Sequence, residues 1–124
     1  MDYLENYLKI RRMNWPYEGR YRVEQFREKG FVAKIDDSLA GLVWADDITY
    51  KEARMKMNLK PEYAEYGIGT ELLEMMVDHL KKQEYQKIYY SIKAEHYAYQ
   101  IYAHLEFKII SMEDEMIHFV WEKD

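Results

Sequence analysis

The stretch Leu59–Leu73, LKPEYAEYGIGTELL, carries the chain from the end of one regular element into the start of another. Before it, Ala53–Leu59 (ARMKMNL) alternates apolar and polar residues, and this period of two predicts a β-strand. Pro61 ends that strand. After it, Gly67–Lys82 repeats apolar residues every four positions with charged residues between them, which predicts an amphipathic α-helix. The stretch therefore predicts a strand, a short loop and a helix that begins at Gly-Ile-Gly.

A helix that begins at Gly67-Ile68-Gly69 offers a place for an anion. The first helical turn has backbone N–H groups without intrahelical acceptors, and the helix dipole adds partial positive charge there. Because the two glycines carry no Cβ, a pyrophosphate could lie directly on the backbone, with the Thr70 hydroxyl beside it. A tight turn with a close helix–strand contact accounts for the same glycines equally well. The pattern is neither a Walker P-loop nor a dinucleotide fingerprint.

The other elements follow from alternation and turn residues. The turn at Asp36–Ser38 predicts a hairpin between strands at Phe31–Ile35 and Leu39–Ala45. Upstream, Val23 and Phe26 are spaced for one helical face, so Tyr21–Lys29 is predicted as a helix capped by Gly30. After the central helix we expect a strand at Lys87–Ile92 and a second helix at Tyr97–Leu105. A closing hairpin follows, with strands at Phe107–Ser111 and Met116–Trp121 and a turn at Glu113–Glu115.

These elements predict an α+β fold in one domain, residues 1–124. The 124 residues suit a single compact domain. A strand–helix–strand crossover at the centre places its two strands parallel or splayed. We therefore expect a mixed, mostly antiparallel sheet with a splayed central strand pair and helices on both faces.

Composition narrows the function. The net charge of −5 argues against a nucleic-acid surface and suits a cationic partner such as an amine. The absence of Cys excludes disulfides and thiolate chemistry, and the four His show no metal-ligand spacing, so no metal is expected. Neither a signal peptide nor a membrane span is recognisable, so a cytoplasmic protein with no membrane partner is expected. The 13 Tyr would suit a cleft with both polar and apolar surface. Together with the Trp they could also form a homodimer contact, and the sequence does not decide whether a homodimer forms.

The order of these features resembles the GNAT family of N-acetyltransferases. The resemblance covers about residues 31–121 and is strongest over Leu59–Leu73 and Ala94–Ile110. In that family the loop runs Arg/Gln-x-x-Gly-x-Gly/Ala, and the later segment commonly runs Asn-x-x-Ala-x-x-x-Tyr-x-x-x-Gly-Phe. Here the later segment has His96, Ala98 and Tyr102, followed by Glu106-Phe107.

The resemblance implies acetyl-CoA as co-substrate and direct acetyl transfer to a primary amine of a small molecule or peptide. It implies that the strand edge at Met57 and Leu59 pairs with the pantetheine arm, and that the Leu59 N–H polarises the thioester carbonyl. It implies that Tyr102 protonates the departing thiolate. The pyrophosphate would be held by backbone N–H groups from the start of the helix, contributed by Tyr66, Gly67, Ile68, Gly69 and Thr70.

Several positions depart from the family pattern. Ala64 replaces the Arg or Gln at the head of the loop, and His96 stands where Asn often contacts the cofactor arm. His96 could make that contact or could be a surface residue. The family's frequent Glu base is absent, because Ala53 occupies the facing position, which leaves Glu52, Asp46 and Asp47 as alternatives. A catalytically weak, GNAT-like CoA-binding sensor or interaction domain is therefore the second hypothesis, and a domain without CoA affinity is the third.

Overall fold

The computed structural model describes residues 21–63, 67–93 and 105–124. These residues form one seven-stranded sheet with the spatial order β1-β2-β3-β4-β5-β7-β6. One α-helix, α1, and one 3-10 turn at Pro61–Tyr63 accompany the sheet in the described part of the chain. The strands are β1 Tyr21–Arg27, β2 Gly30–Ile35, β3 Ser38–Thr49, β4 Glu52–Leu59, β5 Lys87–Lys93, β6 Lys108–Glu113 and β7 Met116–Glu122, and α1 is Ile68–Lys82.

The expected α+β class and the splayed central pair are confirmed. All neighbouring strands pair antiparallel except β4 and β5, which are parallel. Their ladder spans only Glu52–Arg54 against Lys87–Tyr89, although β4 continues to Leu59 and β5 to Lys93. The two strands therefore separate towards their carboxyl ends. The second predicted helix, at 97–105, lies outside the described residues except for Leu105, which is in a turn.

The prediction of a helix at Tyr21–Lys29 is wrong. These residues form β1, in which Val23 lies opposite Ala33 in an antiparallel ladder with β2. Phe26, which the helical spacing placed on a buried face, is 48% exposed. Gly30 is not a helix cap but the buried first residue of β2. Pairing with a neighbouring strand outweighs a weak helical spacing here, since strand formation depends on long-range partners.

The core lies between α1 and one face of the sheet. Leu72, Met76 and Leu80 come from one side of the helix and are fully buried. They meet an apolar layer that the alternation of the strands directs to the same face, including Val43, Ile88 and Ile117. This layer attaches α1 to the sheet along most of its length.

A polar cluster attaches the far end of α1. The Lys29 ammonium lies 2.8 Å from the Asp47 carboxylate and donates to the Tyr85 hydroxyl over 3.1 Å. Tyr85, directly after the helix, donates in turn to Asp47 over 2.5 Å. The hydrogen bond from Lys29 lowers the pKa of Asp47 below its ordinary value, while burial raises the pKa of Tyr85. We call Lys29, Asp47 and Tyr85 the anchor cluster.

We predict that Asp47→Asn lowers the free energy of unfolding by about 0.5–1 kcal/mol at pH 7, because the half-exposed carboxylate makes a solvent-screened ion pair. A carboxylate with a lowered folded pKa stabilises the fold above its unfolded value, near pH 4, and that contribution is lost as the pH falls through the folded value. The difference from the natural sequence should therefore shrink at pH 3 in urea titrations.

Asp37→Asn is the matched control, because its fully exposed carboxylate reaches Arg22 only at 3.4 Å. It should change stability by less than about 0.3 kcal/mol. An equal loss from both substitutions would show that the anchor cluster has no special role.

Candidate active site

The backbone of β4 directs alternate residues away from β3. Lys60 donates its N–H to the Ala40 carbonyl over 3.0 Å, so these two residues form a hydrogen-bonded pair. The register runs from there without interruption through Leu59 opposite Gly41 and Met57 opposite Val43. Because hydrogen-bonded and non-hydrogen-bonded pairs alternate in an antiparallel ladder, the N–H and C=O groups of Met57 and Leu59 point to the other side of β4. They face the space into which β4 and β5 separate.

The first turn of α1 lies beside that space. Gly67 is the residue before the helix and has φ 83°, in the left-handed region. It makes no side-chain cap, and its carbonyl accepts the first helical hydrogen bond, from the Glu71 N–H at 3.0 Å. The N–H groups of Ile68, Gly69 and Thr70 precede that bond, so they have no intrahelical acceptor. The helix therefore presents three backbone donors and the positive end of its dipole here.

Two glycines hold the Leu59 side chain between them. A Cβ on Gly69 would lie 3.4 Å from Leu59 Cδ2 and 3.3 Å from Met57 Cε. A Cβ on Gly41, on the neighbouring strand β3, would lie 2.6 Å from Leu59 Cδ1. The end of β4 and the start of α1 thus meet through Met57 and Leu59, and we call the contact of Leu59 with the two glycines the Leu59 clamp.

The sequence left two interpretations of the glycines open, space for a pyrophosphate or a close helix–strand contact, and the Leu59 clamp decides between them for Gly69. The missing Cβ of Gly69 faces the strand, so it allows close helix–strand packing and does not clear space for a ligand. Gly67 supplies a positive φ that a side chain resists. Any anion would therefore be held by the N–H groups that lack intrahelical acceptors, those of Ile68, Gly69 and Thr70, with the glycines setting the shape of the turn.

Tyr66, His96 and Tyr102 lie outside the described residues, as does Ala64. Their predicted roles stay predictions. Among the described positions, the structure brings Met57, Leu59 and the Gly67–Thr70 turn to one end of β4.

Glu106 stands where the family commonly has Gly, and its backbone explains that preference. Its φ is 68°, in the left-handed region, within a turn before the buried Phe107. The turn therefore keeps the conformation that glycine favours, at an expected strain of about 1–2 kcal/mol for an L side chain. The difference between Glu106 and the Gly common in the GNAT family therefore affects the strain of this turn.

The acidic alternatives for a general base lie at the other end of β4. Asp46 is opposite Arg54, five residues before Leu59, which corresponds to about 17 Å of strand. Its carboxylate meets Arg27 at 3.4 Å and Lys56 at 3.7 Å. Asp47 belongs to the anchor cluster, and its lowered pKa makes it a weak proton acceptor. Glu52 lies beside Lys87 where the β4–β5 ladder begins.

A serine–histidine pair, which the sequence analysis missed, lies nearer the splay. Ser91 Oγ and His118 Nδ1 are 2.6 Å apart, and the residues are directly opposite on β5 and β7. Ser91 is two residues beyond Tyr89, the last position of the β4–β5 ladder. Both side chains are half-buried. The strand alternation alone would have placed each on a polar face, but the pairing of β5 with β7 was needed to bring them together.

This pair lies on the sheet face opposite α1. Tyr90 and Phe119, their strand neighbours, are buried in the core under the helix, so Ser91 and His118 point the other way. The Arg54 guanidinium lies 5.8 Å above the Tyr89 ring on that same face. Arg54 and Lys56 are exposed there, so the β4 part of this face is open to solvent.

Within residues 21–63, 67–93 and 105–124, no three His, Asp or Glu side chains come together as a metal-binding group. In the same ranges, no helix has the length and apolar character needed to cross a membrane.

We predict that Gly67→Ala lowers the free energy of unfolding by about 1–2 kcal/mol, because alanine resists the positive φ. Gly67→Asn is the control, since asparagine visits that region more readily, and its loss should be distinctly smaller. Denaturant titration of the three proteins measures the difference. Equal losses from Ala and Asn would mean that crowding, and not the backbone angle, requires glycine.

The chain was compared with protein families and curated sequences. Residues 15–121 match the acetyltransferase (GNAT) domain family. No curated protein is significantly similar to the chain in sequence.

Solved structures share the fold. The yncA protein of Salmonella typhimurium, solved with its cofactor acetyl-CoA, has a TM-score of 0.65 at 14% identity and is matched over 77% of this chain and 64% of its own. The ribosomal-protein-S18-alanine N-acetyltransferase of Escherichia coli has a TM-score of 0.63 at 19% identity over 92% and 75%. The Campylobacter jejuni N-acetyltransferase PseH, in complex with acetyl coenzyme A, has 0.60 at 16% over 77% and 67%. The chain thus spans less than two thirds of the Salmonella protein.

Proposed function

The chain belongs to the GNAT acetyltransferase family, and on that premise we propose that it is an N-acetyltransferase that transfers an acetyl group directly from acetyl-CoA to a primary amine of a small molecule or peptide. One observation carries the proposal. The outward-facing edge of β4 at Met57 and Leu59 meets the uncapped start of α1 through the Leu59 clamp. The site thus joins a strand edge, which suits an extended amide chain, to an anion-binding helix start.

The pantetheine arm fits the strand edge. Its amides can exchange hydrogen bonds with the N–H and C=O groups of Met57 and Leu59, as an added strand would. The β4–β5 ladder stops at Arg54 and Tyr89, so β5 does not occupy that edge. We propose that the arm inserts there, between the two strands.

The pyrophosphate fits the start of α1. The N–H groups of Ile68, Gly69 and Thr70 precede the first helical hydrogen bond, and Tyr66 and Gly67 would add theirs. Lys60 and Lys93 are exposed at the open ends of the splayed strands. Neither forms an ion pair with a described residue, so both can offer positive charge to phosphate groups.

The transfer step needs an oxyanion donor and an acid. The amine nitrogen attacks the acetyl carbon, the C–N bond forms and the C–S bond breaks. The Leu59 N–H would stabilise the negative charge on the carbonyl oxygen, and the clamp holds that residue in place beforehand. Tyr102, as the family resemblance implies, would give its proton to the leaving thiolate. His96 would contact the cofactor arm.

We predict that acetyl-CoA at a hundred times its dissociation constant stabilises the protein by roughly 2.7 kcal/mol, and that thiol release follows on adding an accepted amine. Tyr102→Phe should reduce kcat by about a hundredfold or more while leaving acetyl-CoA affinity unchanged. Tyr50→Phe is the control, because that ring is 89% exposed on the β3–β4 hairpin. Thermal shift and a spectrophotometric thiol assay provide the two readouts.

The outcomes of these two assays separate the hypotheses. Absence of a thermal shift at millimolar CoA would indicate a domain without CoA affinity. Binding without turnover on small amines, polyamines or peptides would favour the CoA-binding sensor, the function suggested by Ala64, His96 and the missing Glu at Ala53.

For the general base we propose His118. When its Nδ1 is protonated and donates to Ser91 Oγ, Nε2 carries the lone pair that accepts the amine proton. Within the described chain, Ser91 is the one hydrogen-bond partner of the His118 ring. The helix α1 packs on the opposite face of the sheet, and we propose that the amine enters the splay from the face on which Ser91 and His118 lie.

We predict that His118→Gln lowers kcat/KM by about 10²–10⁴-fold through loss of proton transfer. Ser91→Ala, which removes only the group that orients the ring, should cause a smaller loss. Ser111→Ala is the control, since Ser111 lies opposite His118 on β6 without bonding to it. Acetyl-CoA affinity should be unchanged in all three. An unchanged kcat/KM in His118→Gln would refute this role without touching the proposed reaction.

A further inference from the structure

Strand β6 forms one edge of the sheet and exposes an unusual amount of apolar surface. Ile109, Ile110 and Met112 are 50%, 54% and 64% exposed. Apolar side chains on an edge strand are a hazard, because the edge also presents unpaired N–H and C=O groups to other chains. Natural sheets usually protect such edges with charge.

The opposite edge follows that usual pattern. Strand β1 carries Arg22 and Glu24, which form an ion pair of 2.6 Å, and Lys34 of β2 meets Glu24 at 3.3 Å. The two edges of the same sheet therefore differ in chemistry. Strand β1 has this polar network and one half-exposed apolar side chain, Phe26, whereas β6 has an apolar centre of three exposed side chains between two opposite charges, Lys108 and Glu113.

A β-bulge makes β6 complementary to itself. The pairing with β7 skips Ile110, so Ile109 lies opposite Phe119 and Met112 opposite Ile117, and both point to the α1 face. Lys108 and Glu113 both point to the other face. Without the bulge, Ile109 and Met112 would lie on opposite faces, because side chains alternate along a strand.

We infer that β6 is the contact through which two copies of this chain associate, by antiparallel β6–β6 pairing about a two-fold axis. In that register Lys108 faces Glu113 of the partner subunit, and Ile109 faces Met112 of the partner subunit. The axis passes between Ile110 and Ser111. Each pair lies on one face of the continued sheet, so opposite charges and apolar side chains match twice.

The size of this contact sets its strength. A strand of six residues is about 20 Å long, and an interface built on it is small for a permanent dimer. The dimer is therefore reversible, with a population that rises between micromolar and hundreds of micromolar protein.

Sedimentation velocity from about 1 to 300 µM protein measures the dimer dissociation constant. Variants that swap the charges at positions 108 and 113 test the proposed register. Lys108→Glu or Glu113→Lys alone places like charges opposite each other twice and should raise the dimer dissociation constant about tenfold. The double variant restores both pairs with the composition and net charge of the natural chain, and it should return to the natural dissociation constant. Far-UV circular dichroism checks that each variant is folded.

A cysteine cross-link provides a second, independent measurement, because the chain has no Cys of its own. Ser111→Cys, close to the two-fold axis, should form a covalent dimer under mild oxidation. Ser38→Cys, exposed at the distant start of β3, should not. A natural chain that stays monomeric at 300 µM would overturn the inference. So would a dimer indifferent to the single charge changes, or one weakened further in the double variant.

Discussion

The Leu59 side chain, held between Gly41 of β3 and Gly69 of α1, is the contact on which the candidate active site depends. It joins the last residue of β4 to the first turn of the helix. The strand edge and the free helical N–H groups thereby keep a fixed relation to each other. A ligand that must bind both at once gains from this arrangement, because little conformational freedom remains to be lost on binding.

The anchor cluster serves the other end of the same helix. Lys29, Asp47 and Tyr85 connect the β1–β2 turn, the end of β3 and the segment after α1. Lys51 of the β3–β4 hairpin adds a hydrogen bond to the Gln83 carbonyl at 2.9 Å. With the helix held at both ends, β4 and β5 can separate at the Leu59 end while remaining paired at Glu52–Arg54. Asp47, one of the acidic residues that might have suited a cationic substrate, is used in this attachment.

Most of the fold could be predicted because its signals are local. The alternation in β4, the four-residue repeat in α1 and the turn residues around Asp36 and Asp114 each specify one element through their own neighbours. The features that sequence reasoning missed depend on distant partners. Strand β1 exists because β2 pairs with it, and Ser91 meets His118 across 27 positions through the β5–β7 register. The packing role of Gly69 likewise needs the position of Met57, which no local pattern reveals.

In the proposed reaction, the two substrates would take different routes around α1. The helix packs on one face of the sheet over an apolar layer to which Leu72, Met76 and Leu80 contribute. The cofactor would enter along the open end of the splay, where β4 and β5 part and the helix begins. The acceptor would approach from the opposite face, where Arg54 and Lys56 are exposed and Ser91 holds His118. Attack on a thioester needs the nucleophile to come from outside the plane of the carbonyl. The base that we propose, His118, lies on that face of the sheet, whereas Asp46 lies about 17 Å along β4 from Leu59.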